Sequence, residues 1–316
     1  MGEKMAYVPK IYRDKGGNRM VVAAGGEVIM EPGALLQLAN PTGAADYVVD
    51  LNVSATGDGS LAAPFSTIAE AIAASNTSIG LTANRWWARR NRIFVMGDGI
   101  TESLTVLPEK CDIIGFGSDL YPFPRITGRH TIAVAKVGCR FINIGLQASS
   151  ATDVMTLPAG CHGFQFLGGQ VVPATGGTAV GFGITDTACM KIAGTKFQIG
   201  GGSMTHIFAT AISLLGTIGH ESEITDCDIF GTVGILTAAT LAALGSKIDG
   251  CRIRSTGKPI NDASGVYQVV NNRMMTDINI GTTTAGYTFT LALSCGNILT
   301  GLNGVAATIP FAVIAE

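Results

Sequence analysis

The segment Ile224-Thr225-Asp226-Cys227-Asp228-Ile229 returns as Ile248-Asp249-Gly250-Cys251-Arg252-Ile253 and again as Val269-Val270-Asn271-Asn272-Arg273-Met274, at spacings of 24 and 21 residues. A related segment, Ile192-Ala193-Gly194-Thr195-Lys196-Phe197, precedes them. Each reads as an apolar residue, two variable positions, a small or polar residue, a charge and a second apolar residue. Repeats of this length are single supersecondary units that bury an apolar face only by stacking. A period of this size is one turn of a parallel β-solenoid, with strands about 4.8 Å apart along the column. The small residue turns inward at a bend and stacks on its equivalents, so Cys139, Thr195, Cys227, Cys251 and Asn272 are expected to form an inward ladder. Arg140, Lys196, Asp228, Arg252 and Arg273 then point to solvent, and Asp228 lies over Arg252. Cys111-Asp112-Ile113 and Cys139-Arg140-Phe141 repeat the second half of the pattern. Roughly eight coils predict a column about 40 Å long.

Composition agrees with an all-β solenoid. The chain has 316 residues, of which 47% are hydrophobic, 7% aromatic and 14% charged, with 42 glycines. Ordinary globular proteins carry about 25% charge, so burial against copies of itself is the simplest cover for so apolar a surface. The net charge of −2 gives no field favouring nucleic acid or anionic membranes. The seven cysteines show no CxxC spacing and read as reduced, buried small residues. The first residues lack the apolar run of a signal peptide, and Ala6 stands where a myristoylation signal needs Ser or Thr. The uncharged stretches 154–185 and 278–315 are broken by Gly, Pro, Thr or Asn and do not read as membrane spans.

Four parts are predicted: an N-terminal arm of short strands (1–50), an opening segment with a helix (51–110), the solenoid proper (111–277) and a C-terminal β cap for oligomerisation (278–316). In the second part, Thr56-Gly57-Asp58-Gly59-Ser60 leads to Ala63-Pro64-Phe65-Ser66-Thr67-Ile68-Ala69-Glu70-Ala71-Ile72. Ile68, Ala71 and Ile72 keep helical spacing, and Ser66 with Glu70 approximates a capping box. A strand at Arg92–Met96 follows, then Gly97-Asp98-Gly99-Ile100-Thr101-Glu102. From about Thr56 to Gly128, including Ile114-Gly115-Phe116-Gly117-Ser118, this order resembles the beginning of pectate-lyase-like β-helices. That resemblance implies a right-handed single-stranded parallel β-helix whose open end is covered by a short helix.

Catalytic signals are sparse. Equivalent positions on adjacent coils fall near the separation of a retaining carboxylate pair, and Asp226, Asp228 and Asp249 are the candidates. Ordinary solvated charges are the better account of them, and Asp112 alone does not supply the calcium cluster of a lyase. His130, His162, His206 and His220 lack HxxH or HExxH spacing, so no metal or cofactor is expected. Gly181-Phe182-Gly183 reads as turn residues. Arg85-Trp86-Trp87-Ala88-Arg89-Arg90 is the one basic and aromatic cluster. Base stacking is its functional reading, but in a charge-poor chain Trp86 and Trp87 covering the capped end of the solenoid, with Arg85, Arg89 and Arg90 solvated or contacting a protein partner, fits better.

The N-terminal stretch Ile11-Tyr12-Arg13-Asp14-Lys15-Gly16-Gly17-Asn18-Arg19-Met20-Val21-Val22-Ala23-Ala24-Gly25-Gly26-Glu27 is similar to the start of head decoration or head-fibre proteins of tailed bacteriophages, with Val28 where isoleucine is usual. The resemblance implies a capsid decoration (cement) protein on the virion surface, a homotrimer docked to the major capsid protein. Docking would use Ile11, Tyr12, Arg13, Val21, Val22, Gly25, Gly26, Val28 and Ile29. Two rival readings use the same column: a phage tail spike that hydrolyses or cleaves polysaccharide, and a non-catalytic adhesin for host-surface glycans. Neither nucleic acid nor membrane is an expected partner.

Overall fold

A computed structural model of the chain describes residues 11–13, 20–22, 44–80, 89–117, 124–174, 177–197, 207–238, 240–242, 244–262, 267–276, 294–295, 298–300 and 306–308. The chain divides into two compact units, Met1–Pro41 and Thr42–Glu316. In the first, Ile11–Arg13 pairs antiparallel with Met20–Val22, Tyr12 opposite Val21.

The second unit is a parallel β-helix. Its first face is a ten-stranded parallel sheet running from Asp46–Asp50 through Asn91–Met96, Cys111–Gly115 and Arg140–Ile142 to Ser294–Cys295. Inward residues of successive strands stack in register: Ile93, Ile113, Phe141, Phe166, Ile192, Ile224, Ile248 and Val269, each 0% exposed. The second face stacks Ile126, Leu146, Val171, Phe197, Ile229, Ile253 and Met274 in the same way. A third face stacks His130, Met155, Phe182, Ile212, Ile235 and Ile260. The second and third faces are joined where one ten-residue strand, Asp228–Thr237, spans both. Full burial of each such aliphatic or aromatic side chain contributes about 1.5–3 kcal/mol. Successive coils therefore hold one another, and none is a core by itself.

Two kinds of corner flank the first face, and both follow one rule. A residue with positive φ turns the chain, and at ten of the twelve corners its amide is seen to donate to a carbonyl of the coil above. After the first face these residues are Asn143, Gly168, Gly194, Asp226, Gly250 and Asn271; before it they are Lys110, Gly138, Gly163, Cys189, Glu221 and Gly245. Asn, Asp and Gly suit the left-handed region, whereas Lys110, Cys189 and Glu221 are strained there. The residue after each turn faces inward. Thr195, Cys227, Cys251 and Asn272 stack in this way at the second corner, as expected, because Lys196, Asp228, Arg252 and Arg273 that follow them are in register. Cys139 departs from that expectation. Arg140 after it pairs with Asp112 and Gln165 on the first face, so Cys139 sits at the other corner with Cys111. Gly181-Phe182-Gly183 also departs: it lies inside the strand Thr178–Thr185, where a Cβ on Gly181 would sit 2.4 Å from the carbonyl oxygen of Ala211.

The boundaries shift as well. Asp46–Asp50, assigned to the arm by sequence, pairs with Arg92–Met96 and is the first rung. Its free edge is covered by the Thr56–Phe65 stretch. The amides of Val48 and Asp50 donate to the carbonyls of Gly59 and Phe65, and Gly57 and Gly59 donate to Pro64 and Ala63 to close a hairpin. No side chain fits at Gly57, where a Cβ would lie 2.0 Å from the Ala63 oxygen. The helix Ile68–Gly80 follows, burying Ile68, Ala71, Ile72, Ser75 and Ile79. Its capping box is Thr67-Ile68-Ala69-Glu70, not one starting at Ser66: Thr67 Oγ1 accepts from Glu70 N (3.3 Å), and Glu70 Oε2 accepts from Thr67 N (3.1 Å). At the far end, Ser294–Cys295 and Ile298–Thr300 add a further coil to the predicted solenoid, and Ala306–Thr308 closes on Ile298–Thr300 antiparallel. Tyr287–Leu293 and Ile309–Ile314 lie outside the described residues.

Candidate functional site

The outer side of the first face carries the densest polar chemistry. Its outward row reads Asp46, Arg92, Asp112, Arg140, Gln165, Lys191, Glu223, Lys247 and Gln268, one residue per coil in register. Arg92 donates to Asp46 from Nε and Nη2, at 2.8 and 2.6 Å. Asp112 is held by Arg140 at 2.6 and 2.7 Å and by Arg90 at 2.6 Å. Lys191 donates to Glu223 at 2.8 Å, and Lys247 approaches its other oxygen at 3.6 Å. The Lys191 hydrogen bond and the charges of both lysines hold the Glu223 carboxyl below its usual range. Exposed pairs of this kind contribute about 0–1 kcal/mol each. Their effect is on register, because a coil slipped by one position would bury them.

Beside this row runs a second outward row of half-buried apolar side chains: Val48, Phe94, Ile114, Ile142, Leu167 and Ala193. Phe116, 57% exposed, packs its ring 5.6 Å from that of Phe94, and the Arg92 guanidinium lies 5.4 Å from the Phe94 centroid. Nothing in the repeat pattern distinguished this row, since outward apolar residues are read as inward by period alone.

Two of the three acidic candidates are engaged by neighbouring side chains. Asp228 lies over Arg252 as expected and accepts from its Nε at 3.1 Å and from its Nη2. Asp249 accepts from Asn271 Nδ2 at 3.2 Å. Asp226 turns the second corner, and its Oδ1 would stand 2.8 Å from a Cβ on Gly250. Glu102, the acid of the opening motif, reaches the helix start and accepts from Ile68 N (3.1 Å) and Ala69 N (2.8 Å). This places a carboxylate at the positive end of the helix dipole. Burial pushes its carboxyl up against the pull of those two donors. Asp186 accepts from the amides of Thr217 and Ile218, the latter at 2.8 Å, and these hold its pKa down.

Histidines also bind coils together. His162 Nδ1 accepts from Ala188 N (3.1 Å) and His220 Nδ1 from Leu244 N (3.2 Å). His130 is fully buried on the third face, and its Nδ1 accepts from Leu104 N at 3.1 Å. Burial lowers its pKa to about 4. Among the described residues no group of three His, Cys, Asp or Glu side chains is placed to hold a metal ion, and no helix is long and apolar enough to cross a membrane.

Arg89 and Arg90, expected to contact a partner, are engaged within the chain. Arg89 donates to the Ser78 carbonyl near the helix C-terminus (2.8 Å), and Arg90 donates to Asp112 and to Gly138 O. Arg85, Trp86 and Trp87 lie outside the described residues. Of the expected docking residues, Ile11, Tyr12, Arg13, Val21 and Val22 meet in the small hairpin, while Gly25, Gly26, Val28 and Ile29 lie outside the described residues. Searches against protein-family models, curated proteins and solved structures find no match for this chain.

Proposed function

We propose that the chain is a structural protein of a bacteriophage particle, a capsid decoration protein whose N-terminal unit binds the major capsid protein. The observation that carries this reading is the division of labour along the chain. Residues 1–41 form a compact unit of their own and contain the stretch similar to head decoration proteins. The column, in turn, spends its acidic side chains on holding its own coils: Asp46, Asp112, Glu223 and Asp228 in ion pairs, Glu70 and Glu102 at the helix start. A glycan-cleaving site needs two carboxylates free to face a substrate, and of the three candidates Asp228 and Asp249 are engaged by Arg252 and Asn271. Cementing requires no catalysis. A protein that binds only the assembled shell stabilises it by mass action.

The test is particle binding by the intact chain and by residues 42–316, a truncation that keeps the Asp46–Asp50 rung. The intact chain is expected to cosediment with undecorated heads and raise their melting temperature, and the truncated form to remain in the supernatant. Binding of the truncated form to heads would misplace the docking element. Reducing-end release from host polysaccharide, lost in Asp228→Asn or Asp249→Asn, would replace this reading with that of a tail spike.

A further inference from the structure

We infer that Cys227 and Cys251 are a latent redox staple, two thiols that close into a disulfide between adjacent coils when the folded chain meets a peroxide. The inference stands apart from the particle-docking reading and rests on where the second corner places the two sulfurs. Each cysteine follows a positive-φ residue, Asp226 or Gly250, and is buried inside the column. The residues after them, Asp228 and Arg252, are partners in register, so the cysteines hold equivalent positions one rung apart. Rungs lie about 4.8 Å apart, inside the range of about 4.4–6.8 Å between the α-carbons of a disulfide. The ladder continues to Thr195 on one side and Asn272 on the other, so the pair stands by itself there. The thiols are also aimed. Cys251 Sγ donates to the Ile224 carbonyl at 3.6 Å, and Ile224 belongs to the coil of Cys227. The Cys251 thiol therefore leans toward its partner, and the two thiols hydrogen-bond to each other. Cys111 and Cys139 are likewise one rung apart, since Asp112 and Arg140 are in register. There the Cys111 thiol is turned away, to the Asp112 carbonyl at 3.7 Å and to Ser75 of the helix. Register offers two pairs, and the aim of the thiols selects one.

Closing the bond draws the two β-carbons to about 3.8 Å, about 1 Å nearer than the rung spacing. Gly250, immediately before Cys251 and at φ +66°, gives most easily because it carries no Cβ. The hydrogen bond from Cys227 holds the Cys251 thiol below its usual pKa, and the thiolate is the nucleophile, so Cys251 reacts first. Its sulfur attacks one oxygen of hydrogen peroxide, the O–O bond breaks, and the departing hydroxide takes the thiol proton to become water. The Cys227 sulfur then attacks the sulfenic sulfur of Cys251. The S–O bond breaks, and its oxygen leaves as a second water with the proton of Cys227. Two thiols and one peroxide give one disulfide and two waters, with both electrons passing from sulfur to peroxide. At 2% and 1% exposure the pair is reached only when the corner opens, so closure is slower than oxidation of the exposed Cys189. Once made, the bond ties together the two ends of a complete coil.

The experiment is hydrogen peroxide treatment of the folded full chain, followed by alkylation in denaturant and tryptic mapping without reductant. Lys247 is the one tryptic site between Lys196 and Arg252, so the bond joins peptide 197–247 to peptide 248–252. That linked peptide is the expected product, reversed by dithiothreitol and absent from both Cys251→Ser and Cys227→Ser. In the linked chain the amides of residues 228–250 are expected to exchange at least about tenfold more slowly, and peroxide-treated Cys251→Ser to show no such slowing. Recovery of Cys227 and Cys251 as free thiols long after peroxide has consumed Cys189 overturns the staple. So does their recovery as sulfinic acids, or a bond from either one to any other cysteine.

Discussion

Asn272 gives the sharpest test of the corner ladder. It is 1% exposed, its Oδ1 accepts from Cys251 N at 2.9 Å and its Nδ2 donates to Ile248 O at 2.9 Å. One side chain therefore satisfies two buried backbone groups of the coil beneath it. Asn272→Ala leaves both without that partner, and an orphaned buried group costs about 1–3 kcal/mol. The expected loss is about 2–6 kcal/mol, and it is local, because the neighbouring coils keep their own bonds. Amide hydrogen exchange reads such local openings directly. At 1.4 kcal/mol per tenfold, the Cys251 amide is expected to exchange at least about thirtyfold faster, while the Cys227 amide, two corners below, changes little. Cys251→Ala in the same ladder removes only a weak thiol donor and is expected to change protection far less. Unaltered Cys251 protection in Asn272→Ala would show that the side chain does not make these bonds in solution, and the ladder argument would fail with it.

Three further outcomes follow from the geometry. His130 has a folded pKa lowered to about 4 against about 6.5 unfolded, so the unfolded chain binds the extra proton. Stability is therefore full above pH 6.5 and falls by about 3 kcal/mol as pH drops to 4; denaturant unfolding of the native chain and of His130→Asn should diverge across that window and not above it. Gly169→Ala places a Cβ 2.2 Å from the Ile144 oxygen, whereas Gly168→Ala, also at positive φ, meets nothing closer than 4.0 Å; the second should cost about 1 kcal/mol and the first several times more, measured by thermal melts, with equal costs refuting the coil spacing there. Cys189 is exposed while Cys111, Cys139, Cys161, Cys227 and Cys251 are buried, so alkylation of the native protein followed by peptide mapping should mark Cys189 alone among these six, and faster in Glu221→Gln, since burial and the Glu221 carboxylate hold its thiol pKa up.

The sequence made the coil rule legible, but not the corner to which each copy of it belongs. Asp226-Cys227-Asp228-Ile229 and Gly138-Cys139-Arg140-Phe141 have the same grammar: a left-handed residue, an inward small residue, an outward charge, an inward apolar residue. One follows the first face and the other precedes it, and only strand pairing separates them. The coil of Phe166 escaped notice for a related reason. Its corner residue is Gly169, which lacks the polar signature of Thr195 or Asn272. The Asp46–Asp50 rung was assigned to the arm because its partner strand lies 46 residues on, with a hairpin and a helix between. The outward apolar row was invisible to periodicity, since the alternation that reveals an inward residue presumes a polar one beside it. Of the candidate site, the Asp228–Arg252 pair was readable from the repeat, whereas the Glu102 contact to the helix start was not, because it joins residues 33 and 34 positions apart.

The hairpin over the Asp46–Asp50 rung fixes where the column starts, and every later coil obeys the same corner rule, so the length of the column is a count that the gene sets. Excising residues 224–247 would join Glu223 to Ile248, an inward residue replacing its exact equivalent in register, and the second-face strand of Arg252 would then rest on that of Lys196. The result should be a molecule shorter by one rung, about 4.8 Å, with its beginning and its close unchanged. A protein built this way is a ruler, and its span can be altered by whole divisions without redesigning either end.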